Sequence, residues 1–368
     1  MTYELPITEN VILADYTTLG IGGPAGSLVA VQSEEELRME LMRAANDEQP
    51  VLVLGGGSNM LISDAGWPGT VIRVAMGGVE FTDHLDGIVR TIAGGGVEWD
   101  AFVAQCVGRG LQGVECLSGI PGTVGASPIQ NIGAYGQEVM ETIAWVEAMD
   151  RATGEVTRFA NEECGFSYRW SRFKGEDRDR YVVTKVAFDL KRDGKPSVRY
   201  GDLTRYFEEH GIGDPTLEQV RDAVISVRRS KGMVVEPGVA DSRSCGSFFM
   251  NPIVTEDKAG QVRETAMREG LLKDGERMPE YGAGPGMVKL SAAWLMERSG
   301  LRRGEALGNV GLSSRHVLAV INRGGGTAEE VLKMVAHVQG AVRTKFDVEL
   351  HPEPVFIGFE GLSAAGTD

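Results

Sequence analysis

At 368 residues, with 42% apolar side chains, the chain is long enough for two or three domains with cores of their own. A net charge of −15 and a pI near 4.9 argue against nucleic acid or an anionic membrane as a general partner, although a local cationic pocket still permits an anionic substrate. No apolar run reaches the roughly 18 to 20 residues of a membrane span and no basic-then-apolar leader opens the chain. Cys106, Cys116, Cys164 and Cys245 show neither CxxC nor Cys/His ligand spacing, so a reducing cytoplasm and no structural metal are expected.

Residues 17–23 (TTLGIGG) form a first glycine-rich turn. Ser33 with Glu36 is a capping-box pattern, and Leu37, Leu41 and Ala44 share one face of the helix it starts. Val51–Leu54 reads as a short buried strand running into Gly55-Gly56-Gly57-Ser58-Asn59, a turn that neither helix nor strand absorbs. Strands are expected over 71–74 and 88–93. Gly94-Gly95-Gly96 then leads into a helix bearing Trp99, Phe102, Val103, Cys106 and Val107 at helical spacing. Past residue 136, a strand over 143–150, a hairpin turn at 151–154 and a strand over 181–190 complete an α+β first part ending near residue 195. Thr216 with Gln219, and later Thr327 with Glu330, cap two further helices, the last with Val331, Met334, Val335, Val338 and Val342 as a core-facing stripe. Strands are expected at 317–321 and around 351–356, the tail 361–368 is expected to fray, and residues 254–286 carry little pattern.

The stretch 117–136, LSGIPGTVGASPIQNIGAYG, organises the rest. Each interior glycine costs a helix about 1 kcal/mol and each proline about 3, so the stretch is a loop. Ile120, Val124, Ile129, Ile132 and Tyr135 anchor it. A well-anchored backbone stripped of side chains suits a large ligand lying against peptide N–H groups; the residues alone leave open a plain glycine-rich connection between subdomains. The GGGSN turn fails as a Rossmann fingerprint, because the third glycine position falls on Met60 and Gly66 and Pro68 break any helix there. A diphosphate would then rest on loop N–H groups, and two separate glycine turns suit a bipartite cofactor such as FAD.

In family order, TTLGIGG at 17–23, VLVLGGGSNML at 51–61, IPGTVGASPIQNIGAYG at 120–136, FSYRWS at 166–171, YGDL at 200–203, CGSFFMNP at 245–252 and HPEPVF at 351–356 resemble the UDP-N-acetylenolpyruvoylglucosamine reductases, or UDP-N-acetylmuramate dehydrogenases. These are flavoenzymes of bacterial peptidoglycan precursor synthesis. The resemblance spans nearly the whole chain and points to the larger type with a diphosphate-clamping tyrosine loop. It implies a two-part FAD-binding module of the vanillyl-alcohol oxidase type over 1–195 (parts 1–75 and 76–195). An α+β substrate-binding domain over 196–368 would follow, its last strand returning to the active site. Non-covalent FAD, NADPH as hydride donor and UDP-N-acetylglucosamine enolpyruvate as substrate are implied, with a monovalent cation as a further candidate. A cytoplasmic monomer without nucleic acid or membrane insertion is expected.

The implied reaction passes hydride from reduced flavin to C3 of the enolpyruvyl ether, leaving charge on the carboxylate side, so it needs electrophilic groups there and an acid for C2. The resemblance places Ser247 as that acid and Arg169 and Glu353 beside the enolate. Arginine offers a fixed fork to a carboxylate, whereas Glu353 serves only if protonated or acting through water. By residue type alone, a serine such as Ser247 is most often a turn or capping residue and an arginine such as Arg169 usually a surface or ion-paired one. The cofactor set implied is Gly55, Gly56, Gly57, Ser58, Asn59, Gly122, Thr123, Gly125, Ala126, Ile132, Gly133, Ala134, Tyr135 and Arg228. Tyr168, Tyr200, Lys231, Asn251, Tyr281 and His316 match substrate positions, Lys231 supplying local positive field. Met250 departs from the lysine common in this motif.

Two rivals stand beside this reading. One is an FAD-dependent sugar or alcohol oxidase of the vanillyl-alcohol oxidase type; many of these tether flavin through His or Cys, and all five histidines here lie outside the glycine turns. The other is a non-catalytic nucleotide-binding module, against which the joint presence of Arg169, Ser247 and Glu353 argues.

Overall fold

The computed structural model describes residues 5–272 and 275–359; the tail 361–368 lies outside the described residues. Two compact units divide the chain. The first holds the residues up to Ile12, Pro24–Gly57 and Trp67–Val234, so it continues past residue 195; the second holds Leu13–Gly23, Ser58–Gly66 and the residues from Val235 onward. The chain passes between units after Ile12, Gly23, Gly57, Gly66 and Val234, the third passage falling inside the GGGSN turn.

In the first unit, Ser33 caps helix α1 (Glu34–Asn46) by accepting from the Glu36 N–H at 3.1 Å, while the Glu36 carboxylate takes the Gln32 N–H instead of completing a box with Ser33. Leu37, Leu41 and Ala44 are buried, as their spacing requires, and Leu37 and Leu41 pack on Val29, Val31, Ile72 and Val74 of a four-stranded sheet. That sheet runs Ile7–Glu9, Ala25–Val31, Trp67–Val74, Val51–Leu54; its last three strands are parallel. Burying each such aliphatic side chain contributes about 1.5–3 kcal/mol.

A second, antiparallel sheet orders Val156–Ala160, Ile143–Asp150, Tyr181–Arg192, Ile88–Gly94 and Val79–Asp83, with Leu111–Gln112 on the end of its central strand. Helix α2 (Trp99–Val107) covers it through Trp99 and Phe102, whose rings lie 5.9 and 4.9 Å from Phe188. Helices α3 (Gly201–Glu209) and α4 (Leu217–Ser230) close the unit around Leu203, Phe207, Val220, Ala223 and Val224; Thr216 and Gln219 make the expected reciprocal cap on α4.

The second unit centres on α7 (Ala328–Phe346), which buries Val331, Met334, Val335, Val338 and Val342. Thr327 and Glu330 cap it reciprocally, and the Asp64 carboxylate also accepts from the Ala328 and Glu329 N–H groups at 2.8 and 3.1 Å. The poorly patterned region yields a strand Ile253–Thr255, helix α5 (Glu256–Arg268) and a strand Glu280–Gly282, both strands flanking Met287–Leu290; α6 (Ala292–Arg298) follows. Two strand expectations shift. Residues 317–319 form a turn closed from the Ala319 N–H to the His316 carbonyl, and the strand is Val320–Asn322. The last strand is Val355–Ile357, parallel to Met60–Ile62, because Pro352 and Pro354 have no N–H to offer a ladder.

Candidate functional site

In the first unit the two glycine stretches meet. A Cβ on Gly56 would lie 2.6 Å from Gly122 Cα, and one on Gly55 2.8 Å from Thr123 Oγ1, so only glycine permits this approach. The 117–136 loop is pinned along its length. The Trp99 indole donates to the Leu117 carbonyl at 3.0 Å, the Trp99 N–H to Gly122, and the Val124 and Gly125 N–H groups to Val97 and Gly95. Buried Asn131 ties its amide to Glu138 and the Ser167 carbonyl and accepts from the Met140 N–H, which holds Ile132, Gly133, Ala134 and Tyr135 in place.

Arg169 joins this loop: its guanidinium donates to the Gly133 carbonyl at 2.7 Å and lies 5.3 Å from the Tyr168 ring centroid. Tyr135 meets the Tyr200 ring edge-on at 5.5 Å; burial pushes its phenol up to about 12 against the pull of Arg228, so it stays neutral. Lys231 spends its charge on Asp202, 2.5 Å away, rather than presenting a bare positive field. Arg228 on α4 is 9% exposed; one terminal nitrogen donates to the Met233 carbonyl, but its Nε is buried with no acceptor among the described residues. Burial lowers its pKa, and Tyr135 and Asp100 oppose that shift.

The segments that carry Ser247 and Glu353 pair in the second unit. The Glu353 N–H donates to the Phe248 carbonyl at 2.8 Å, the Met250 N–H to His351 at 3.0 Å, and Phe249 pairs with Pro352. Asn59, which follows Ser58, lies on the same segment: its carbonyl accepts from Val355 and its amide donates to the Glu353 carbonyl. The Cys245 thiol, two residues from Ser247, is raised to about 12 by burial and donates to the Met60 carbonyl, so it is no thiolate.

The Asn251 side-chain carbonyl accepts from the Ala292 N–H at the start of α6, and its amide nitrogen has no hydrogen-bond acceptor among the described residues. Tyr281 stands 47% exposed on its strand, directly opposite Lys289, which is opposite Ile253 in turn; opposed residues share one face, so the three form a row. His316 belongs to the turn Ser313–His316, whose Ser313 hydroxyl accepts from the Arg315 and His316 N–H groups. Asp241 anchors that turn through the Ser313 hydroxyl, the Ser314 hydroxyl and the Ser314 N–H at 2.7 to 2.8 Å. Of the proposed acid–base residues, then, Ser247 and Glu353 share a unit, and Arg169 belongs to the other.

Residues 25–160 match an FAD binding domain, and residues 238–357 match the family described as UDP-N-acetylenolpyruvoylglucosamine reductase, C-terminal domain. A UDP-N-acetylenolpyruvoylglucosamine reductase of Thermobifida fusca is 47% identical over 352 residues, 95% of this chain and 98% of its own length. The chain belongs to the UDP-N-acetylenolpyruvoylglucosamine reductase family. The relative from Saccharopolyspora erythraea is 42% identical over 95% of both chains. The crystal structure of the reductase from Thermus caldophilus superposes with a TM-score of 0.63 at 28% identity, covering 96% of this chain and 99% of that one. The expected architecture, an FAD-binding module followed by a second α+β domain, is the one found.

Three residues of this reductase escaped the reading of its sequence. Lys289 is marked by its place in an apolar strand just before the Ser291 cap of α6, but only the strand register reveals that it faces Tyr281. Asp241 reaches Ser313 across 72 residues, and Asp100 reaches Arg221 across 121. No local spacing signals contacts of that kind.

Proposed function

We propose that this flavin-dependent reductase uses NADPH to reduce the enolpyruvyl group of UDP-N-acetylglucosamine enolpyruvate, giving UDP-N-acetylmuramate. The residues present fit FAD: glycine backbone at Gly55–Gly57 lying against Gly122 and Thr123 too closely for a Cβ on Gly55 or Gly56, and a buried donor at Arg228 Nε with no acceptor among the described residues. The first takes diphosphate oxygens on peptide N–H groups, the second a polar edge of the cofactor. When bound, FAD supplies hydride transfer from NADPH to C3 of the substrate.

The chain's own residues do the rest. The Ser247 hydroxyl gives a proton to C2. Arg169, held by the Gly133 carbonyl, turns its guanidinium to the substrate carboxylate as charge develops there. Glu353, in its protonated form or through a water, acts on the same carboxylate side. Tyr168, Tyr200 and the Asn251 amide bind the sugar nucleotide, and Lys231 trades Asp202 for its anionic groups. Tyr281 and Lys289 together clamp the diphosphate, and His316 adds a polar contact. The observation that supports this reading is the backbone pairing of Phe248 with Glu353, which joins the segment carrying Ser247 to the segment carrying Glu353.

An anaerobic visible spectrum of Ser247→Ala tests it. NADPH is expected to bleach the variant's flavin as in wild type, and the enolpyruvyl sugar is expected to restore the yellow absorbance only in wild type. Equal recovery in the variant rejects Ser247 as the acid. Bleaching without recovery in wild type removes the substrate and favours the oxidase.

A further inference from the structure

Helix α2, the 117–136 loop and helix α4 all converge on one carboxylate. Asp100, in the first turn of α2, accepts from the Gly119 N–H at 2.6 Å and from both terminal nitrogens of Arg221 at 2.6 and 2.8 Å. The fork is bidentate, the form in which an Arg–carboxylate pair fixes direction as well as distance. Arg221 and Arg228 are seven residues apart on α4 and so share one face of it. Arg228 runs past the same Gly119: a Cβ there would sit 3.4 Å from its Nε. That Nε is buried and lacks an acceptor among the described residues. A buried charged donor left unmet is costly, so the arrangement is completed by an acceptor from a ligand.

We propose that Asp100 is a positioning residue for the flavin site: by tying Arg221 and Gly119 together, it sets the turn of α4 that presents Arg228 Nε to FAD. This rests on the reading above that Arg228 contacts FAD. Asp100 itself touches no cofactor in this scheme; it fixes the approach of the residue that does. Pre-organising a charged donor in this way improves affinity by sparing the ligand the ordering of a long side chain.

The test is a double-mutant cycle on FAD affinity, read from flavin fluorescence as the holoenzyme releases and rebinds its cofactor, with the melting temperature measured alongside. Asp100→Asn keeps an acceptor for Gly119 but breaks the charged fork; Arg228→Met removes the donor. Asp150→Asn serves as control, since the Asp150 carboxylate binds Arg180 and the 151–154 turn in the same unit and neither Arg221 nor Gly119. Expected are a rise in FAD Kd of about tenfold or more for Asp100→Asn, a larger rise for Arg228→Met, and a double variant no weaker than Arg228→Met alone. Asp150→Asn is expected to leave Kd unchanged.

Additive effects of the two substitutions would overturn the proposal, because Asp100 would then act without Arg228. So would a lowered melting temperature with unchanged Kd in Asp100→Asn, the behaviour of a purely structural ion pair. Wild-type affinity in Arg228→Met would instead sink the underlying reading of Arg228. If Asp100→Asn does not accumulate folded, Arg221→Lys, which keeps the charge and loses the fork, carries the same cycle.

Discussion

The two units hold their candidate ligand-contacting loops by different means. In the first, beside the side-chain bonds of Trp99, Asp100 and Asn131, backbone lies against backbone: Gly56 against Gly122, Gly125 against Gly95, with no room for a Cβ. In the second, side chains hold backbone: Asp241 grips the Ser313–His316 turn, and the Asn322 amide spans Gly20, Gly324 and Gly326. The steric device is all-or-none at each position, whereas the polar device is divided among several hydrogen bonds and weakens by degrees. A cofactor that stays through many turnovers suits the former, and a substrate that exchanges at every turnover suits the latter.

The largest effect is expected where the steric device is broken. Gly56→Ala has to push main chain apart at Gly122, a strain of about 1–3 kcal/mol, and is expected to raise the FAD Kd roughly ten- to a hundredfold. The flavin-to-protein absorbance ratio of the purified variant measures this, and full occupancy would show that the two loops do not need their close approach.

Asp241→Asn probes the polar device and is expected to cost about 1–2 kcal/mol at pH 7 by chemical denaturation. Burial alone would raise the pKa of Asp241, but the Ser313 and Ser314 hydroxyls and the Ser314 N–H outweigh it and hold the carboxyl below its ordinary value. A depressed folded-state pKa stabilises above the unfolded value near 3.9 and is lost as pH falls through the folded one. The gap between wild type and variant is therefore expected to be full at neutral pH and to close below about pH 4. A gap that persists unchanged at pH 3 would mean that the carboxylate charge contributes nothing.

The smallest change sharpens the comparison from the other side. Gly340 lies inside α7 with nothing within 4 Å of where its Cβ would be. Gly340→Ala is expected to stabilise by about 0.5–1 kcal/mol, visible as a small rise in melting temperature without loss of flavin. Glycine matters in this chain where backbones approach, not wherever it occurs.

Local chemistry made part of this legible. Capping residues located α1, α4 and α7, and Val51–Leu54 and Ile143–Asp150 were readable from apolar runs between turn residues. Ala25–Val31 was not read, since a central parallel strand loses the alternation that marks an edge. α3 hides behind Tyr200-Gly201, and α5 behind its charges and Gly260. Residues 317–319 are buried and apolar but close in a turn before the strand Val320–Asn322 begins, so burial there mimics a longer strand. At the candidate site, the glycine-rich loops were visible from the sequence, while Asp100, Asp241 and Lys289 depend on contacts that only the folded chain supplies.

The five passages between units bear on how the molecule is made. Met60–Ile62 pairs with Val355–Ile357, so a strand synthesised early has no partner until nearly the whole chain has been translated. At about 5–20 residues per second, that wait is roughly 15 to 60 s. The first unit is complete at Val234, whereas residues 13–23 and 58–66 belong to a second unit whose remaining residues all follow it. During translation, then, Met60–Ile62 waits as a strand without its partner, an edge that the finished fold covers.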